Sequence, residues 1–225
     1  MLGDSWEYDI RSSVVTWKLG FAQDYINHHQ LNGTVQSIFP RCYQYSLKKS
    51  VLINQIIPLV FPPGAYTPEK ETKLIKSAMT ALNFGARLSN ISYIDKFGEL
   101  KHGALNEVFK VQDDVDAFLA CQLVKDFVNE QKILDDFILE IMRLTQPHVF
   151  ALTELHNKKG TPKRQAIIAY LYQHAEYDVM SIVRGIAQQQ NLVILANIHD
   201  AIVFKDQLPA SLKAQMERAI KSTTN

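Results

Sequence analysis

The stretch that decides the fold is Asn197-Ile198-His199-Asp200-Ala201-Ile202-Val203-Phe204. The polar pair His199-Asp200 separates two apolar arms, 192–198 and 201–204, whose branched residues favour strands. Burying a histidine and an aspartate without partners is costly. The pattern therefore predicts a β-hairpin whose arms enter a core and whose turn, at the rim, carries the carboxylate of Asp200.

A carboxylate at a turn needs a second carboxylate nearby if it is to hold a catalytic metal. Hard cations such as Mg²⁺ take oxygen ligands, and paired carboxylates commonly bridge two such ions. Asp9 is the candidate partner because it follows Trp6-Glu7-Tyr8, an apolar and aromatic segment typical of a strand. Asp4 and Glu7 are weaker candidates because both lie nearer the start of the chain. The sequence predicts a two-metal site formed by Asp9 and Asp200.

Helical patterns occupy most of the chain between these two segments. Thr67-Pro68 predicts a helix with a capping threonine and a proline at its first position, running to about Arg87. Because residues 14–22 include branched side chains, the sequence leaves open whether this segment forms a helix or a strand. Further helices are predicted over 113–145, from about Pro162 to Gln190, and from about Pro209. The order strand, helices, hairpin, helix predicts an α+β fold.

Composition limits the core size, the kind of nucleic-acid binding and the cellular compartment that we expect. Of the 225 residues, 47% are hydrophobic, which is enough for a proper core. The net charge of +1 gives no global field toward nucleic acid, so any such binding must come from local clusters. The apolar runs are too short for a membrane span. With only Cys42 and Cys121, we expect no disulfide framework and a cytoplasmic location.

Three segments in chain order resemble the palm motifs of family-A DNA polymerases and of the related single-subunit RNA polymerases of phages and mitochondria. The first is a strand ending in aspartate, and the second is a basic helix followed by an aromatic-glycine pair. The third is a His-Asp hairpin, and a fourth element is a polar cluster on the preceding helix. The matching segments are Tyr8-Asp9-Ile10-Arg11-Ser12-Ser13, Lys73-Leu74-Ile75-Lys76-Ser77-Ala78-Met79-Thr80-Ala81-Leu82-Asn83-Phe84-Gly85, Ile198-His199-Asp200-Ala201-Ile202-Val203-Phe204 and Tyr172-Gln173-His174-Ala175-Glu176.

The resemblance implies a palm with a small antiparallel sheet and a helical fingers-like region. Residues 1–66 would be the first palm segment, 67–160 the fingers-like region and 161–225 the second palm segment. The implied activity is template-directed nucleotidyl transfer from a nucleoside triphosphate to a primer, with two Mg²⁺ ions, in a protein of viral or mobile-element type. The implied catalytic residues are Asp9, Asp200 and His199, with both aspartates as metal ligands. The implied nucleotide-binding residues are Lys73, Lys76, Thr80, Phe84, Gly85, Arg87, Gln173, His174 and Glu176.

Departures from the pattern leave several alternatives open. Thr80 stands where the DNA polymerase pattern has a catalytic lysine, and Val14 stands where a sugar-excluding glutamate is common, so the sugar of the nucleotide stays open. The thumb of these families precedes the first motif, whereas Asp9 lies almost at the start here. The resemblance therefore leaves open a fragment of a larger protein, one product of a split gene, or a reduced relative that needs a partner polypeptide. One alternative is an HD-type phosphohydrolase, in which His174 and a helical His199-Asp200 pair bind metals. Another is a non-catalytic palm that binds nucleic acid or a partner.

Overall fold

The computed structural model describes residues 5–9, 13–89, 91–94, 98–101, 103–198 and 201–224. This part of the chain forms α-helices, two short 3₁₀ segments and two small antiparallel sheets, which confirms the predicted α+β class. The helices are α1 Ser13–Gly20, α2 Ala22–His28, α3 Val35–Ile38, α4 Pro40–Val60, α5 Pro68–Asn83, α6 Ala104–Phe109, α7 Gln112–Ala120, α8 Gln122–Thr145, α9 Arg164–Gln189 and α10 Ala210–Thr224. The strands are β1 Trp6–Asp9, β2 Tyr93–Ile94, β3 Leu100–Lys101, β4 Ile194–Ile198 and β5 Ala201–Phe204.

The chain divides into two compact units. The sheet unit combines Met1–Ser13 with Ile168–Asn225, and the helical unit is the continuous segment Val14–Ile167. Residues 14–66, assigned from the sequence to the first palm segment, thus belong to the helical unit. The correspondence of these units to a palm and to fingers stays a prediction.

The predicted hairpin is confirmed by the pairing of β4 and β5. These strands are antiparallel, and Ile198 is the partner of Ala201, so the link between them is the dipeptide His199-Asp200. Both linking residues lie outside the described part of the chain. All four residues of β5 are buried, as the apolar pattern of this arm predicts.

Strand β1 completes the sheet, in which the order is β1-β5-β4. It runs antiparallel to β5, with Trp6 opposite Phe204 and Asp9 opposite Ala201. The predicted strand ending at Asp9 is therefore confirmed. Its last residue is paired with the residue that directly follows the hairpin turn.

The helical unit has its own apolar core. Residues 14–22, for which the sequence allowed either a helix or a strand, form most of α1 and the start of α2. Val14 and Val15 are buried. The predicted helix over 113–145 is broken into α7 and α8 by Cys121, whose backbone is extended. The largest side chains of this core include Tyr45, Leu52, Ile56, Ile75, Met79, Phe118, Phe127 and Leu134.

Helix α5 begins as predicted and ends earlier than predicted. The Thr67 side chain accepts a hydrogen bond from the backbone N–H of Lys70, which caps the helix at Pro68. The expectation that it continues to Arg87 is wrong because Gly85 terminates it. The N–H of Gly85 donates to Leu82 O and the N–H of Ala86 donates to Ala81 O. Together with the left-handed φ of 85° at Gly85, these bonds form a Schellman motif.

Candidate functional site

The residue before Asp9 anchors the end of β1. The Tyr8 hydroxyl accepts a hydrogen bond of 2.9 Å from the backbone N–H of Leu208. Its ring packs edge-on against Phe204 with centroids 5.8 Å apart, and Lys213 Nζ lies 4.9 Å from the same ring centroid. Contacts with β5 and with the segment leading into α10 therefore fix Tyr8, and they hold the adjacent backbone of Asp9 in register.

The sheet brings the first and third motifs together at their backbones. Ala201 is the partner of Asp9 on one side and of Ile198 on the other. The side chain of Asp9, and all of His199 and Asp200, lie outside the described residues. In the described part of the chain, which leaves out these predicted metal ligands, no group of three or more His, Cys, Asp or Glu side chains could hold a metal.

The polar cluster of the fourth motif lies on α9 within the sheet unit. Gln173 and His174 are exposed, and Glu176 is half-buried. His174 Nδ1 lies 2.9 Å from Tyr170 O, and the two rings are 4.0 Å apart. His174 thus makes contacts within its own helix, whereas Gln173 and Glu176 are three residues apart on one helix face.

The predicted nucleotide-binding face of α5 is on the solvent side of that helix. Lys73 and Lys76 are exposed, and Thr80 is half-buried. The buried residues of the same helix are Ile75, Ala78, Met79 and Leu82. Because the apolar residues alone enter the core, both lysines are free to approach an anionic ligand.

Phe84, Gly85 and Arg87 follow α5 rather than extending it. Phe84 is 70% exposed, which is unusual for a large aromatic side chain, and Arg87 is exposed. The left-handed φ of Gly85 disfavours larger side chains at this position, and the flexible side chain of Gln165 lies over it, with Oε1 2.8 Å from the place of a Cβ. The exposed ring of Phe84 can stack on a planar ligand.

The predicted site residues thus form two groups. Asp9, the hairpin and the polar cluster of α9 belong to the sheet unit. Lys73, Lys76, Thr80 and the residues at the end of α5 belong to the helical unit.

No protein-family model matches the chain, and no curated protein or solved structure is significantly similar to it. The resemblance to polymerases therefore rests on the residues of the four motifs alone. None of the helices in the described part of the chain has both the length and the apolar character of a membrane span.

A buried polar network, which the sequence analysis missed, adjoins the end of α5. Lys18 Nζ lies 2.8 Å from Asp135 Oδ1 and donates a hydrogen bond of 3.1 Å to Gln131 Oε1. Gln131 in turn donates to Asn83, and Asn83 donates to the Tyr45 hydroxyl. Lys18, Gln131 and Asp135 are at most 5% exposed. The network fixes Asn83, the last residue of α5, directly before Phe84.

Weak signals of this network exist in the sequence. Lys18 is the single charge in the apolar segment Val14–Phe21. Gln131 and Asp135 are four residues apart on the stripe of α8 that also carries Leu134 and Ile138, so polar residues interrupt an apolar face. A buried cation on one helix and a buried anion on another are expected to pair.

Glu130 caps the N-terminus of α4 from a distant helix. Its carboxylate accepts hydrogen bonds from the backbone N–H groups of Arg41, at 2.9 and 3.1 Å, and of Cys42, at 2.8 Å. Burial raises the pKa of Glu130, against the opposing effect of these N–H donors. Burial also raises the pKa of the Cys42 thiol, and the charge of Glu130 adds to that shift.

The raised pKa of Glu130 predicts how stability depends on pH. A carboxyl whose pKa is higher in the folded than in the unfolded state binds its proton more tightly when folded, so its contribution to stability falls as pH rises through the folded-state pKa. The Glu130→Gln variant stays neutral throughout. We expect the free energy of unfolding of the wild type, minus that of Glu130→Gln, to decrease from acidic to neutral pH in urea titrations. A difference that stays constant or increases with pH would contradict this prediction.

Proposed function

We propose that this chain is the palm-and-fingers core of a template-directed nucleotidyltransferase. The observation that carries the proposal is the three-stranded antiparallel sheet in which Ala201 pairs with both Asp9 and Ile198. This is the arrangement that a strand ending in a metal-binding aspartate and a His-Asp hairpin need if their carboxylates are to share metal ions.

Chain connectivity limits how far apart the two aspartates can be. Paired Cα atoms of antiparallel strands are about 4.5–5.5 Å apart. Asp200 is joined to Ala201 by one peptide bond, and Cα atoms across a trans peptide are about 3.8 Å apart. Two such steps allow at most roughly 9 Å between the Cα atoms of the two aspartates. In the proposed site, two carboxylates across such a span would share metal ions.

Carboxylates at such a spacing suit Mg²⁺, which prefers oxygen ligands. Two Mg²⁺ ions held by Asp9 and Asp200 would activate a primer 3′-hydroxyl and neutralise charge on the leaving pyrophosphate. His199, between the strands, belongs to the same predicted catalytic group. Their ligand chemistry thus fits the two-ion site expected from the sequence.

The solvent face of α5 supplies groups that suit the incoming nucleotide. Lys73 and Lys76 are exposed cations for the triphosphate, and Phe84 offers an exposed ring for stacking on the base or sugar. Thr80, Gly85 and Arg87 complete this proposed set. Gln173, His174 and Glu176 are assigned by the same proposal to nucleotide binding.

The pairing of β4 with β5 disfavours the phosphohydrolase alternative. That alternative requires His199-Asp200 to lie within a helix, whereas the residues on both sides, Ile198 and Ala201, are strand partners of each other. The template-directed reaction therefore has the better support.

The test is incorporation of a labelled nucleotide on a primed template by the purified chain. We expect incorporation to require Mg²⁺, to stop on addition of a chelator, and to fall strongly in Asp200→Asn. The assay is run with deoxyribo- and ribonucleotides, on DNA and RNA templates, with and without candidate partner polypeptides that could supply a thumb.

Two outcomes would argue against the proposal. Incorporation unaffected by Asp200→Asn would remove the hairpin carboxylate from the site. Binding of a primed template without incorporation under any of these conditions would favour the non-catalytic palm, which the presence of Thr80 in place of lysine already makes the main competitor.

A further inference from the structure

A short basic loop in the helical unit, residues 156–163, is held in a defined conformation by its own backbone. His156 and Pro162 form an isolated antiparallel bridge, and the N–H of Asn157 donates to Thr161 O at 2.8 Å. Asn157 Oδ1 accepts hydrogen bonds from the N–H groups of Lys159 and Thr161, at 2.8 and 3.1 Å. The basic loop is thus closed at its base and braced inside by one side chain.

Arg164, directly after the basic loop, fastens it to α8. Its guanidinium pairs with Asp136, lies 4.0 Å from Asp135 Oδ2 and donates to Lys132 O at 2.9 Å. These contacts engage Arg164 within the protein. The lysines of the loop, Lys158, Lys159 and Lys163, are exposed, and they are the cations left to meet a partner.

The charge around the basic loop departs from that of the rest of the chain. From residue 155 to residue 175 there is no aspartate or glutamate, whereas this stretch contains three lysines and one arginine. A segment of net charge +4 inside a chain of net charge +1 leaves the remainder at −3. Because Arg164 is paired with Asp136, the three lysines carry the positive charge that the loop presents to solvent. The positive charge is therefore local, which is the condition for a site that attracts an anion.

We infer that the basic loop binds the sugar-phosphate backbone of a nucleic-acid duplex through Lys158, Lys159 and Lys163. The choice of nucleic acid as the partner rests on the proposed function. The choice of the basic loop as the binding site rests on its charge and geometry. Each lysine is a point charge that suits a phosphate oxygen. A loop already ordered by its own hydrogen bonds loses little conformational entropy on binding.

The composition of the basic loop favours a duplex over a single strand. Proteins that bind single strands stack bases on aromatic side chains. Residues 156–163 include no Phe, Tyr or Trp, and Arg164, which could read a guanine edge, is engaged by aspartates. The loop thus offers phosphate contacts without base contacts, and its binding is independent of sequence.

The experiment measures binding of the full chain to a fluorescein-labelled 20-base-pair duplex by anisotropy, between 50 and 200 mM KCl. The test variant is Lys158→Gln/Lys159→Gln/Lys163→Gln. Because each neutralised phosphate adds about 0.9 to the slope of log K against log salt, we expect the slope to become shallower by about 3. Affinity at 100 mM KCl is expected to fall at least about tenfold.

A matched control removes the same charge elsewhere. Lys110→Gln/Lys125→Gln/Lys221→Gln lowers the net charge by the same three units at positions outside the basic loop. Its salt slope is expected to stay within about 1 of the wild type, since losing one phosphate contact changes the slope by that amount. Equal losses in the two variants, or no duplex binding by the wild type, would overturn the inference. So would displacement of the duplex by poly-glutamate at equal charge, which would indicate an acidic protein as partner.

Failure of this inference is distinguishable from failure of the proposed function. Duplex binding that needs the basic loop, in a chain without incorporation, keeps the inference and removes the catalytic proposal. Incorporation that needs Asp200, with duplex affinity unchanged in the loop variant, keeps the catalytic proposal and removes the inference about the basic loop.

Discussion

Replacing Asp9 with asparagine is expected to lower nucleotide incorporation at least about a hundredfold, the scale on which loss of one charge-stabilising group acts on a transition state. The amide is nearly the same size as the carboxylate and lacks the charge that holds a metal ion. The pairing of Asp9 with Ala201 joins main-chain groups, so the sheet should persist. Incorporation is measured at saturating Mg²⁺ and nucleotide, which separates lost chemistry from weakened binding.

Glu7→Gln is the matched control for this variant. Glu7 lies on the same strand and is exposed. It is opposite Val203, two register positions from the pair of Asp9 and Ala201. The same charge change there should leave incorporation within about twofold of the wild type. Comparable losses in both variants would mean that β1 acts through its general negative charge, and an unchanged rate in Asp9→Asn would exclude Asp9 as a metal ligand.

Lys18→Met is expected to destabilise the helical unit by about 3–5 kcal/mol, the cost of leaving one member of a buried ion pair alone. Lys18 and Asp135 are 3% and 4% exposed, and their charged atoms are 2.8 Å apart. The nearest other cation described for Asp135 is Arg164, at 4.0 Å, and that guanidinium is already paired with Asp136. The free energy of unfolding is measured by urea titration with circular dichroism.

Two further variants make this prediction specific to the pair. Lys132→Met removes an exposed lysine and should change stability by no more than about 0.5 kcal/mol. Lys18→Met combined with Asp135→Leu removes both buried charges and should recover at least half of the loss, since apolar replacement of a whole pair is often neutral. A double variant as unstable as the sum of the two single variants would contradict the pairing.

The two tryptophans of the chain allow these losses to be assigned to a unit. Trp6 is on β1 in the sheet unit, and Trp17 is on α1 in the helical unit. In a Trp6→Phe background, the fluorescence of Trp17 alone follows unfolding around Lys18. We expect that signal to shift to lower urea with Lys18→Met.

Short-range patterns account for the parts of the fold that the sequence predicts well. The apolar arms around His199-Asp200 specify the hairpin because alternation and branching are local properties of a strand. Thr67 and Pro68 specify the start of α5 in the same way. The end of α5 at Asn83 was recoverable too, because glycine two residues beyond a helix end is typical of a Schellman motif.

Long-range partnerships account for what the sequence did not predict. Lys18 and Gln131 are 113 positions apart in the chain. Glu130 is 88 positions from Cys42 and 89 from Arg41, from whose N–H groups it accepts hydrogen bonds. No local spacing in the sequence reveals either contact. Residues 14–22 are helical although their branched side chains favour a strand, because the helix buries Val14 and Val15 in the helical unit. For the candidate site, the assignment of residues from motif order stays a prediction, whereas the pairing of Asp9 with Ala201 became visible only in the fold.

The insertion of the helical unit between β1 and the rest of its sheet sets an order of events during synthesis. Tyr8 and Leu208, which share a hydrogen bond, are 200 positions apart in the chain. On the ribosome, the whole of Val14–Ile167 emerges before β4 and β5 exist, and an unpaired four-residue strand is not stable alone. Strand β1 is thus translated first and paired last, so under the proposed function a nascent chain without β4 and β5 is expected to be inert.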